Sequence, residues 1–313
     1  MARIATPFGP KTTAAEVARG IDLSGRAVVV TGASSGIGVE TARAMALTGA
    51  RVTLAVRNDA LGSKVAHEIA AATGNRNVRA APLDLSDLDS IREFSRAWEG
   101  QLHVLVCNAG VMALPLQRTA RGWEMQFATN HLGAFALTGL LLPALVARPG
   151  SRVVAVSSIA ARSGHIDFAD PMGERRYDAW AAYNQSKLAN LLFISELTRR
   201  LRRAALKLTA VAAHPGASVT GLFSTPGGGF FIKRVVSPLM MRFLFQSASA
   251  GALPILHAAT AVDAVPGGYY GPSGPREMQG PPAPAAVPPQ ARDAEVAQRL
   301  WQLSEQLTGV VFP

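Results

Sequence analysis

The sequence predicts an α/β protein in which one doubly wound parallel sheet forms a single domain. Short apolar segments alternate with helical segments from Arg26 onward. The apolar segments run without polar interruption, which is typical of strands buried on both faces of a parallel sheet. A glycine-rich turn follows the first of these segments. A sheet of this kind binds its ligand at the carboxyl ends of its strands.

Six strands are predicted in the first 213 residues. They cover residues 26–31, 51–56, 78–83, 103–107, 151–158 and 206–213. Helices are predicted between them, at residues 37–48, 60–73, from 86 onward, 121–130, 131–146 and 181–203. Ser86 and Asp87 can cap the third of these helices, because their side-chain oxygens accept hydrogen bonds from the first backbone N–H groups.

The two ends of the chain are expected to differ from this alternating pattern. Residues 1–24 are expected to form an N-terminal arm, so that the domain covers residues 25–313. Residues 271–290 are rich in proline and glycine, which predicts a loop. A last amphipathic helix should follow, with Val296, Leu300, Leu303 and Leu307 on one face.

Large apolar side chains are concentrated in residues 217–247, directly after the sixth predicted strand. This position predicts an apolar lid over a hydrophobic small-molecule substrate, with residues 227–229 (three glycines) as its hinge. Two alternatives remain open at this point. The segment could form a small helix that packs on the core, or it could contact a membrane surface, since basic residues flank the apolar ones.

Composition excludes several classes of protein. A chain of 313 residues with 49% hydrophobic and 17% charged residues is typical of a globular domain with one core. The net charge of +10 comes from basic residues spread along the chain. No long segment interleaves aromatic with basic residues, so nucleic acid is not expected as a partner.

The sequence also leads us to expect no metal site and no membrane span. The six histidines are scattered, without the spacing of metal ligands. The single cysteine, Cys107, lies in an apolar segment, which suggests a buried thiol in a reducing compartment and a cytoplasmic location. No secretory signal is recognisable, and the longest apolar stretch, residues 134–147, is too short for a bilayer and contains Pro143.

The glycine-rich turn predicts a phosphate-binding site. Its sequence, TGASSGIG at residues 31–38, joins the first strand to the first helix, the arrangement found in a Rossmann fold. Glycines permit the tight turn and let backbone N–H groups approach a pyrophosphate at the positive end of the helix. The candidate cofactor-binding residues of this turn are Gly32, Ser34, Ser35, Gly36, Ile37 and Gly38.

The end of the second strand bears on the choice between two dinucleotides. Val56 is followed by Arg57. An acidic residue here would bind the ribose 2′-hydroxyl of NAD, whereas an arginine can pair with the 2′-phosphate of NADP. The sequence therefore favours NADP(H), with NAD(H) as the alternative cofactor and a plain surface charge as the alternative role of Arg57.

Tyr183 and Lys187 form a candidate proton-transfer pair. They are four residues apart in a predicted helix, so they share one face. A tyrosine in water titrates near ~10. A neighbouring ammonium group favours the phenolate, and we therefore expect Lys187 to lower the pKa of Tyr183.

Taken together, these motifs resemble those of the short-chain dehydrogenase/reductase family over about residues 25–270. The family's order is followed by the glycine-rich turn, Asn-Ala-Gly at 108–110, Asn130, Ser-Ser at 157–158, the Tyr183–Lys187 pair, and His-Pro-Gly at 214–216. The segments Ile-Asp-Phe at 166–168 and Arg-Arg-Tyr at 175–177 are similar to the retinol-dehydrogenase-like branch, which includes bacterial oxidoreductases. Tyr183 follows Ser158 by 25 residues, a spacing that also fits this branch.

The resemblance implies four catalytic roles. Tyr183 would exchange a proton with the substrate, and Lys187 would bind the nicotinamide ribose and lower the pKa of Tyr183. Ser158 would hydrogen-bond the substrate oxygen. Ser157 should point to the opposite face, because side chains alternate along a strand. Asn130 would hold a water molecule that connects Lys187 to solvent.

The resemblance also implies further cofactor contacts. They involve Asp84 and Leu85 after the third strand, Asn108, Ala109 and Gly110 after the fourth, and Pro215, Gly216 and Thr220 after the sixth. Asp84 would contact the adenine, and the residues after the sixth strand would shape the nicotinamide pocket. For Asp84, Asn108 and Thr220, a role in turns or caps is the alternative.

Two functions from different classes are consistent with these residues. The first is an NADP(H)-dependent oxidoreductase that transfers a hydride between the nicotinamide and a carbonyl or a secondary or primary alcohol of a hydrophobic small molecule. The second is a non-catalytic NAD(P)-binding regulatory protein with the same fold. Because Ser158, Tyr183, Lys187 and Asn130 are all present, the sequence favours the enzyme. It does not identify the substrate, and a homo-oligomer remains open.

Overall fold

The computed structural model describes residues 12–217 and 246–313. Strands in these residues are β1 Ala27–Thr31, β2 Arg51–Val56, β3 Val78–Pro82, β4 Val104–Cys107, β5 Ser151–Val156, β6 Leu208–Ala213, β7 Tyr269–Pro272 and β8 Pro282–Pro284. Helices are α1 Ala14–Ala18, α2 Gly36–Leu47, α3 Asp59–Thr73, α4 Leu88–Arg96, α5 Met125–Phe127, α6 Gly133–Val146, α7 Ala179–Arg203, α8 Ala248–Thr260 and α9 Ala294–Thr308. A π-helical turn, Ala128–Leu132, joins α5 to α6, and 3₁₀ helices cover Ile159–Ser163, Pro275–Glu277 and Pro289–Arg292.

All strands of the described residues belong to one sheet, in the order β3-β2-β1-β4-β5-β6-β7-β8. Strands β1 to β7 pair in parallel, and β8 runs antiparallel to β7. Val28 of β1 is in register with Val52 of β2 on one side and Val104 of β4 on the other. The chain therefore changes direction across the sheet between β1 and β4, and the crevice at their carboxyl ends is where such a sheet binds a ligand.

Helices cover both faces of the sheet, which is why its strands read as unbroken apolar segments. On one face, Val28 and Val30 of β1 pack in a core with α1, α2, α3 and α8. On the other face, Val29 and Leu105 pack in a core with α4, α6, α7 and α9. Because side chains alternate along each strand, the strands contribute residues to both apolar cores. The predicted fold class is confirmed.

The predicted helix at residues 121–130 is wrong at its start. Arg118 and Glu124 instead form an isolated antiparallel bridge, and helical structure begins only at Met125. The cause is Glu124, whose carboxylate accepts hydrogen bonds from the backbone N–H groups of Gln126 and Phe127. A side chain that caps these N–H groups fixes the helix start at its own position.

The prediction of a loop over residues 271–290 is also wrong. This segment completes β7, forms β8 and contains two short 3₁₀ helices. The strands were not predicted because this segment is rich in proline and glycine. Proline is tolerated in a strand mainly at the edge of a sheet. Strand β8 occupies that edge, and two of its three residues are Pro282 and Pro284.

The described part of the predicted N-terminal arm packs on the domain. Helix α1 has a capping box formed by Thr13 and Glu16. Its buried residues, Ala14, Val17 and Ala18, belong to the same core as α2 and α8. Residues 1–11 and residues 218–245, which include most of the predicted lid and Thr220, lie outside the described residues.

One helical stretch in the described residues is long and apolar enough to cross a bilayer. It covers Met125–Val146, 22 residues, and is longer than the apolar segment predicted from the sequence. Within the protein, 72% of the apolar part of this stretch is buried. Its apolar side chains, among them Phe135, Leu137 and Leu141, pack in the core beside α7, as expected for a core helix.

Candidate active site

The glycine-rich turn packs so closely on its surroundings that two of its positions require glycine. Gly32 has φ +65°, and a Cβ there would lie 2.7 Å from the Cα of Ala109. At Gly38, a Cβ would lie 2.4 Å from the backbone oxygen of Gly32. A side chain at either position would push the turn away from the loop after β4, so both glycines define the shape of the crevice.

The turn leads into the N-terminus of α2, where groups able to bind a phosphate collect. Ser35 is the N-cap residue of α2, but its side chain makes no capping hydrogen bond. Ser34 is half-buried and Ser35 is exposed, while Gly36 begins the helix with φ +58°. Backbone N–H groups and hydroxyls at a helix N-terminus suit an anion. The residues present therefore fit the pyrophosphate of a dinucleotide.

Asn108 connects β1 to β4 through hydrogen bonds. Its side-chain Nδ2 donates to the backbone oxygen of Thr31 (2.9 Å). The hydroxyl oxygen of Thr31 accepts the backbone N–H groups of Asn108 (3.0 Å) and Ala109 (2.9 Å). These bonds tie the carboxyl ends of the two strands together. Asn108 thus has the structural role that the sequence left as the alternative, while Ala109 packs directly on Gly32.

Three other predicted cofactor residues follow β2 and β3, and they differ in how far their side chains are exposed. Arg57 is exposed at the end of β2, and its guanidinium has no hydrogen-bonding or ionic partner within residues 12–217 and 246–313. Asp84 is half-buried, and its carboxylate accepts hydrogen bonds from the backbone N–H (2.8 Å) and hydroxyl (2.6 Å) of Ser86. Leu85 is 5% exposed and packs in the core, so the structure gives no support to a cofactor contact from its side chain.

Tyr183, Ser158 and Lys187 come together at the carboxyl end of β5. Asp178 caps α7, which places Tyr183 on its second turn with 9% of its surface exposed. The Ser158 side chain lies close enough to the Tyr183 phenol to lower its pKa. The Lys187 amine lies 5.8 Å from the centre of the Tyr183 ring and donates to the backbone oxygen of Val156 (3.1 Å). The structure thus brings the three predicted catalytic side chains to one place.

The two adjacent serines have different partners, as the alternation of strand side chains predicts. The Ser157 hydroxyl is buried and donates to the backbone oxygen of Lys187 (2.7 Å). The Ser158 hydroxyl accepts the backbone N–H of Ala160 (3.2 Å) and caps the 3₁₀ helix at residues 159–163. Ser157 therefore fixes α7 against β5, and Ser158 faces Tyr183.

Asn130 holds the loop after β4 over the catalytic pair. Its Oδ1 accepts the backbone N–H of Val111 (2.8 Å), and its Nδ2 donates to the Val111 oxygen (2.9 Å) and to the Ser186 hydroxyl (2.9 Å). A Cβ on Gly110 would lie 3.1 Å from Asn130 Oδ1 and 3.2 Å from the Lys187 amine. The Asn130 side chain therefore positions this loop, and its predicted contact with a water molecule stays a prediction.

The π-helical turn that carries Asn130 was not predicted from the sequence. The backbone N–H of Gly133 donates to the oxygen of Ala128, five residues earlier. Such turns are inserted in α-helices and occur frequently at functional sites. The apolar sequence around Asn130 gives no local signal for it.

Burial dominates the titration of the catalytic pair. Loss of solvation raises the pKa of Tyr183, and the hydrogen bond to Ser158 lowers it only in part. Loss of solvation lowers the pKa of Lys187 to about 8. The expectation that Lys187 lowers the pKa of Tyr183 is therefore wrong in this structure. The phenol is almost completely removed from water, which disfavours the phenolate, and the Lys187 amine is not among the causes that offset this rise.

An exposed aromatic side chain that sequence reasoning missed lies beside Tyr183. Trp180 lies one turn earlier in α7, and the two ring centres are 6.1 Å apart at 83°. Trp180 is 51% exposed, and Leu116 in the loop after β4 is 45% exposed. The Tyr177 hydroxyl ties that loop to the start of α7 by donating to the Leu114 oxygen (2.7 Å). An apolar molecule beside Tyr183 can therefore cover the Trp180 side chain.

Pro215 and Gly216 follow β6 at the same edge of the sheet. Gly216 has φ +67°, and a Cβ there would lie 2.4 Å from the backbone oxygen of Met278. The Ala217 N–H donates to that same oxygen (2.8 Å). The C-terminal part of the chain therefore fixes the turn after β6, a contact that no motif in the sequence indicates.

A cavity in the described residues lies away from Tyr183. It measures about 280 Å³ and lies between α7, β6 and the segment 287–292. Its wall includes Tyr269 but none of the predicted catalytic residues. The glycine turn and the Tyr183–Ser158–Lys187 cluster, which carry the chemistry, mark the site more reliably than the cavity does. In the same residues, no group of three or more His, Cys, Asp or Glu side chains could hold a metal ion.

Comparison with known proteins agrees with this geometry. The short chain dehydrogenase family matches residues 26–225. The chain is 42% identical over 295 residues to retinol dehydrogenase 12 from Mus musculus, covering 93% of this chain and 88% of that protein. It is also 42% identical to a probable oxidoreductase from Streptomyces lividans, covering 90% of this chain and 97% of that protein.

A solved structure of similar sequence has the same fold. It is an uncharacterized protein from Mycobacterium Paratuberculosis, 41% identical to this chain. The superposition covers 95% of this chain and 98% of that one, with a TM-score of 0.79. With the glycine turn and the Ser158–Tyr183–Lys187 cluster in place, the chain belongs to the short-chain dehydrogenase/reductase family of oxidoreductases, in its retinol-dehydrogenase-like branch.

Proposed function

We propose that this protein is an NADP(H)-dependent oxidoreductase for carbonyls and alcohols of hydrophobic small molecules, with Tyr183 as general acid and base. One observation carries the proposal. The Tyr183 phenol is buried, interacts with the Ser158 side chain, and has the Lys187 amine 5.8 Å from its ring centre. This arrangement places a proton donor, Tyr183, beside Ser158, which would hydrogen-bond the substrate oxygen.

In the direction of reduction, the Tyr183 hydroxyl donates a proton to the substrate oxygen. A bound nicotinamide dinucleotide supplies the chemistry of hydride transfer to or from the substrate carbon. The raised pKa of Tyr183 keeps the phenol protonated and ready to donate at neutral pH. Ser158 hydrogen-bonds the same oxygen as negative charge develops on it. In the direction of oxidation, Tyr183 accepts the proton instead.

Lys187 is suited to return protons to Tyr183. Its pKa of about 8 means that both the ammonium and the amine form are populated near neutral pH. Its amine lies next to Gly110 at the floor of the crevice, where a Cβ would come within 3.2 Å. That position would also let Lys187 hydrogen-bond the ribose next to the nicotinamide.

The preference for NADP(H) is supported by Arg57. It is exposed at the carboxyl end of β2, and no described residue binds its guanidinium. An arginine fork can form two parallel hydrogen bonds with a phosphate. Val56, which precedes it, is buried and neutral, so the end of β2 offers no carboxylate to a ribose 2′-hydroxyl.

A hydrophobic substrate is supported by the exposed side chain of Trp180 beside Tyr183. Large exposed apolar groups next to a catalytic hydroxyl are typical of a site for an apolar ligand. The mammalian relatives are named for retinol, an apolar alcohol, which belongs to the same chemical class. We therefore place the substrate among apolar aldehydes, ketones and alcohols.

A cofactor-absorbance screen tests the proposal. Hydrophobic aldehydes and ketones are offered with NADPH and NADH, and the matching alcohols with the oxidised cofactors. We expect turnover of apolar members, and we expect Tyr183→Phe to reduce kcat by about 10²-fold or more, in line with loss of a general acid, while NADPH still binds. Binding of NADPH without turnover of any compound would favour a non-catalytic regulatory protein. Unchanged turnover in Tyr183→Phe would exclude the assigned role.

A further inference from the structure

Glu277, in the C-terminal part of the chain, binds two elements of the active site at once. Its Oε2 accepts hydrogen bonds from the Arg162 guanidinium (2.6 Å) and from the His214 ring (3.0 Å). Its Oε1 accepts the backbone N–H of Ala286 (2.8 Å). Burial alone would raise the pKa of Glu277, but the bonds to His214 and Ala286 bring it below its usual value. Glu277 is therefore a carboxylate with three donors.

The first branch of this network leads to the turn after β6. His214 is completely buried, and its Nδ1 accepts the backbone N–H of Gly216 (3.2 Å). Because Nδ1 accepts, the proton of the neutral ring lies on Nε2, which donates to Glu277. Burial lowers the pKa of His214, which keeps the ring neutral. Glu277 thus sets the tautomer that fixes the Pro215–Gly216 turn.

The second branch leads to Ser158. Arg162 lies in the 3₁₀ helix at residues 159–163, which Ser158 caps. Besides its ion pair with Glu277, Arg162 donates to the backbone oxygen of Arg276 (3.2 Å). The helix that begins at the catalytic serine is therefore tied to the C-terminal part of the chain.

A third contact joins the two branches. The Tyr269 ring packs on the His214 ring, with centres 5.1 Å apart. Its hydroxyl donates to the backbone oxygen of Ser158 (3.4 Å). The position of His214 is therefore coupled to the backbone of Ser158.

The backbone at Glu277 is strained. Arg276 and Glu277 have φ +54° and +59°, although neither is glycine. Such conformations are rare for residues with a side chain, persist only where the surroundings impose them, and cluster at functional sites. At Glu277, the bonds to Arg162, His214 and Ala286 supply that constraint.

We propose that Glu277 is a positioning residue of the active site, which fixes Ser158 through Arg162 and the Pro215–Gly216 turn through His214. The inference rests on the proposed function, since Ser158 and this turn are assigned there to the substrate oxygen and the nicotinamide end of the crevice. Glu277 itself does not touch the reacting atoms. Its effect comes through the placement of these two elements, and small displacements of this kind can cost up to about 10²-fold in rate.

The test compares Glu277→Gln with the wild-type protein in binding and in turnover. Glutamine has a single oxygen, so it cannot accept hydrogen bonds from Arg162, His214 and Ala286 together. We expect kcat to fall by about tenfold and the affinity for NADPH to fall by several-fold. The affinity for 2′-phospho-ADP-ribose, the nicotinamide-free part of NADP, should not change, because Glu277 contacts nothing in the glycine turn.

Two further variants make the result decisive. Arg162→Met removes one branch only and should lower kcat by a similar factor, while adding Glu277→Gln to it should cause less than the product of the two single losses. Glu295→Gln and Arg203→Met, at exposed positions, are matched controls and should behave as the wild type. If Glu277→Gln cannot be purified, Arg162→Met decides on the Ser158 branch by the same measurements.

Two outcomes would overturn the inference. One is an unchanged kcat together with an unchanged NADPH affinity. The other is an equal loss of affinity for NADPH and for the nicotinamide-free fragment, because a general loss of stability would produce it. Absence of turnover in the wild-type protein would instead refute the proposed function, and the two binding measurements would still decide the role of Glu277.

Discussion

At Tyr183, burial and hydrogen bonding act on the same phenol in opposite directions. Loss of solvation raises its pKa, and the bond to Ser158 offsets part of this rise. A general acid must hold its proton until the substrate oxygen becomes basic, and a general base must lose it beforehand. In the proposed function, the raised pKa therefore suits Tyr183 to donate a proton, as the reduction of a carbonyl requires.

This balance predicts different pH profiles for the two directions of the reaction. Because the pKa of Tyr183 is raised from 10, the phenol stays protonated across neutral pH. We expect kcat for reduction to be nearly constant below about pH 8, where Lys187 still carries the proton that it returns to Tyr183, and kcat for oxidation to increase with pH between about pH 6 and 9. Steady-state rates measured in both directions at constant ionic strength provide the check. An oxidation rate that decreases as the pH rises would contradict the assignment.

Arg57 determines the cofactor preference in the proposed function. In Arg57→Asp, a carboxylate replaces the only basic group at the end of β2, so it repels a 2′-phosphate and can accept a hydrogen bond from a 2′-hydroxyl. We expect the ratio of kcat/KM for NADPH to that for NADH to fall by about 10²-fold, as for loss of a charged hydrogen-bonded pair. Arg203→Asp, at an exposed position of α7, is the charge-matched control. An equal ratio in both variants would make Arg57 a bystander.

At the scale of elements, the crevice depends on the turn between β1 and α2 touching the loop after β4. Gly32 and Gly74 both have positive φ, +65° and +71°. A Cβ at Gly32 would lie 2.7 Å from the backbone of Ala109, whereas nothing lies within 4 Å of one at Gly74. A comparison of the same substitution at the two glycines therefore separates the effect of backbone strain from the effect of a steric clash.

We expect Gly32→Ala to abolish measurable dinucleotide binding, because the turn must move away from Ala109. Gly74→Ala should bind the dinucleotide like the wild type, with a loss of unfolding free energy of about 1 kcal/mol from strain alone. Calorimetric titration with NADPH and thermal unfolding of both variants give the comparison. Equal binding by the two variants would show that the close packing at Gly32 does not shape the cofactor site.

At the scale of the whole molecule, a buried histidine connects the C-terminal helix to the core. His131, in the π-helical turn, hydrogen-bonds the Ser304 hydroxyl of α9 (2.9 Å). Its ring packs among Phe127, Phe135 and Phe193. Burial lowers the pKa of His131 from 6.5 to about 3, so the ring stays neutral in the folded state.

The shift in the pKa of His131 predicts an acid-dependent loss of stability. Below pH 6.5, the unfolded chain binds a proton at this residue that the folded protein does not bind until about pH 3. Stability is therefore fully present above pH 6.5 and falls as the pH decreases toward 3, by at most about 1.4 kcal/mol per pH unit for one proton.

Replacing His131 with phenylalanine should flatten this dependence, because phenylalanine cannot bind a proton. Urea unfolding between pH 4.5 and 7.5 measures the slope of the unfolding free energy in the variant and in the wild type. His67→Gln, at an exposed position of α3, is the control and should keep the wild-type slope. Identical slopes in His131→Phe and the wild type would refute the role of His131.

Local patterns predicted the parts of the fold and site that depend on neighbouring residues. The strands from β1 to β6, the glycine turn and the four-residue spacing of Tyr183 and Lys187 are of this kind. Helix α8 and strands β7 and β8 were not predicted. The strands were missed because their segment is rich in proline and glycine. The contacts of His214, Tyr269 and Glu277 were missed because they join residues far apart in sequence. The raised pKa of Tyr183 depends on burial, which spacing alone does not reveal.

Strand β8 limits how copies of this protein can associate. Among residues 12–217 and 246–313, it is the last strand on its side of the sheet, and two of its three residues are Pro282 and Pro284. Proline has no backbone N–H, so this edge offers a neighbouring molecule almost no ladder of donors to pair with. Continuous sheets that extend across two subunits are therefore disfavoured on this side of the sheet.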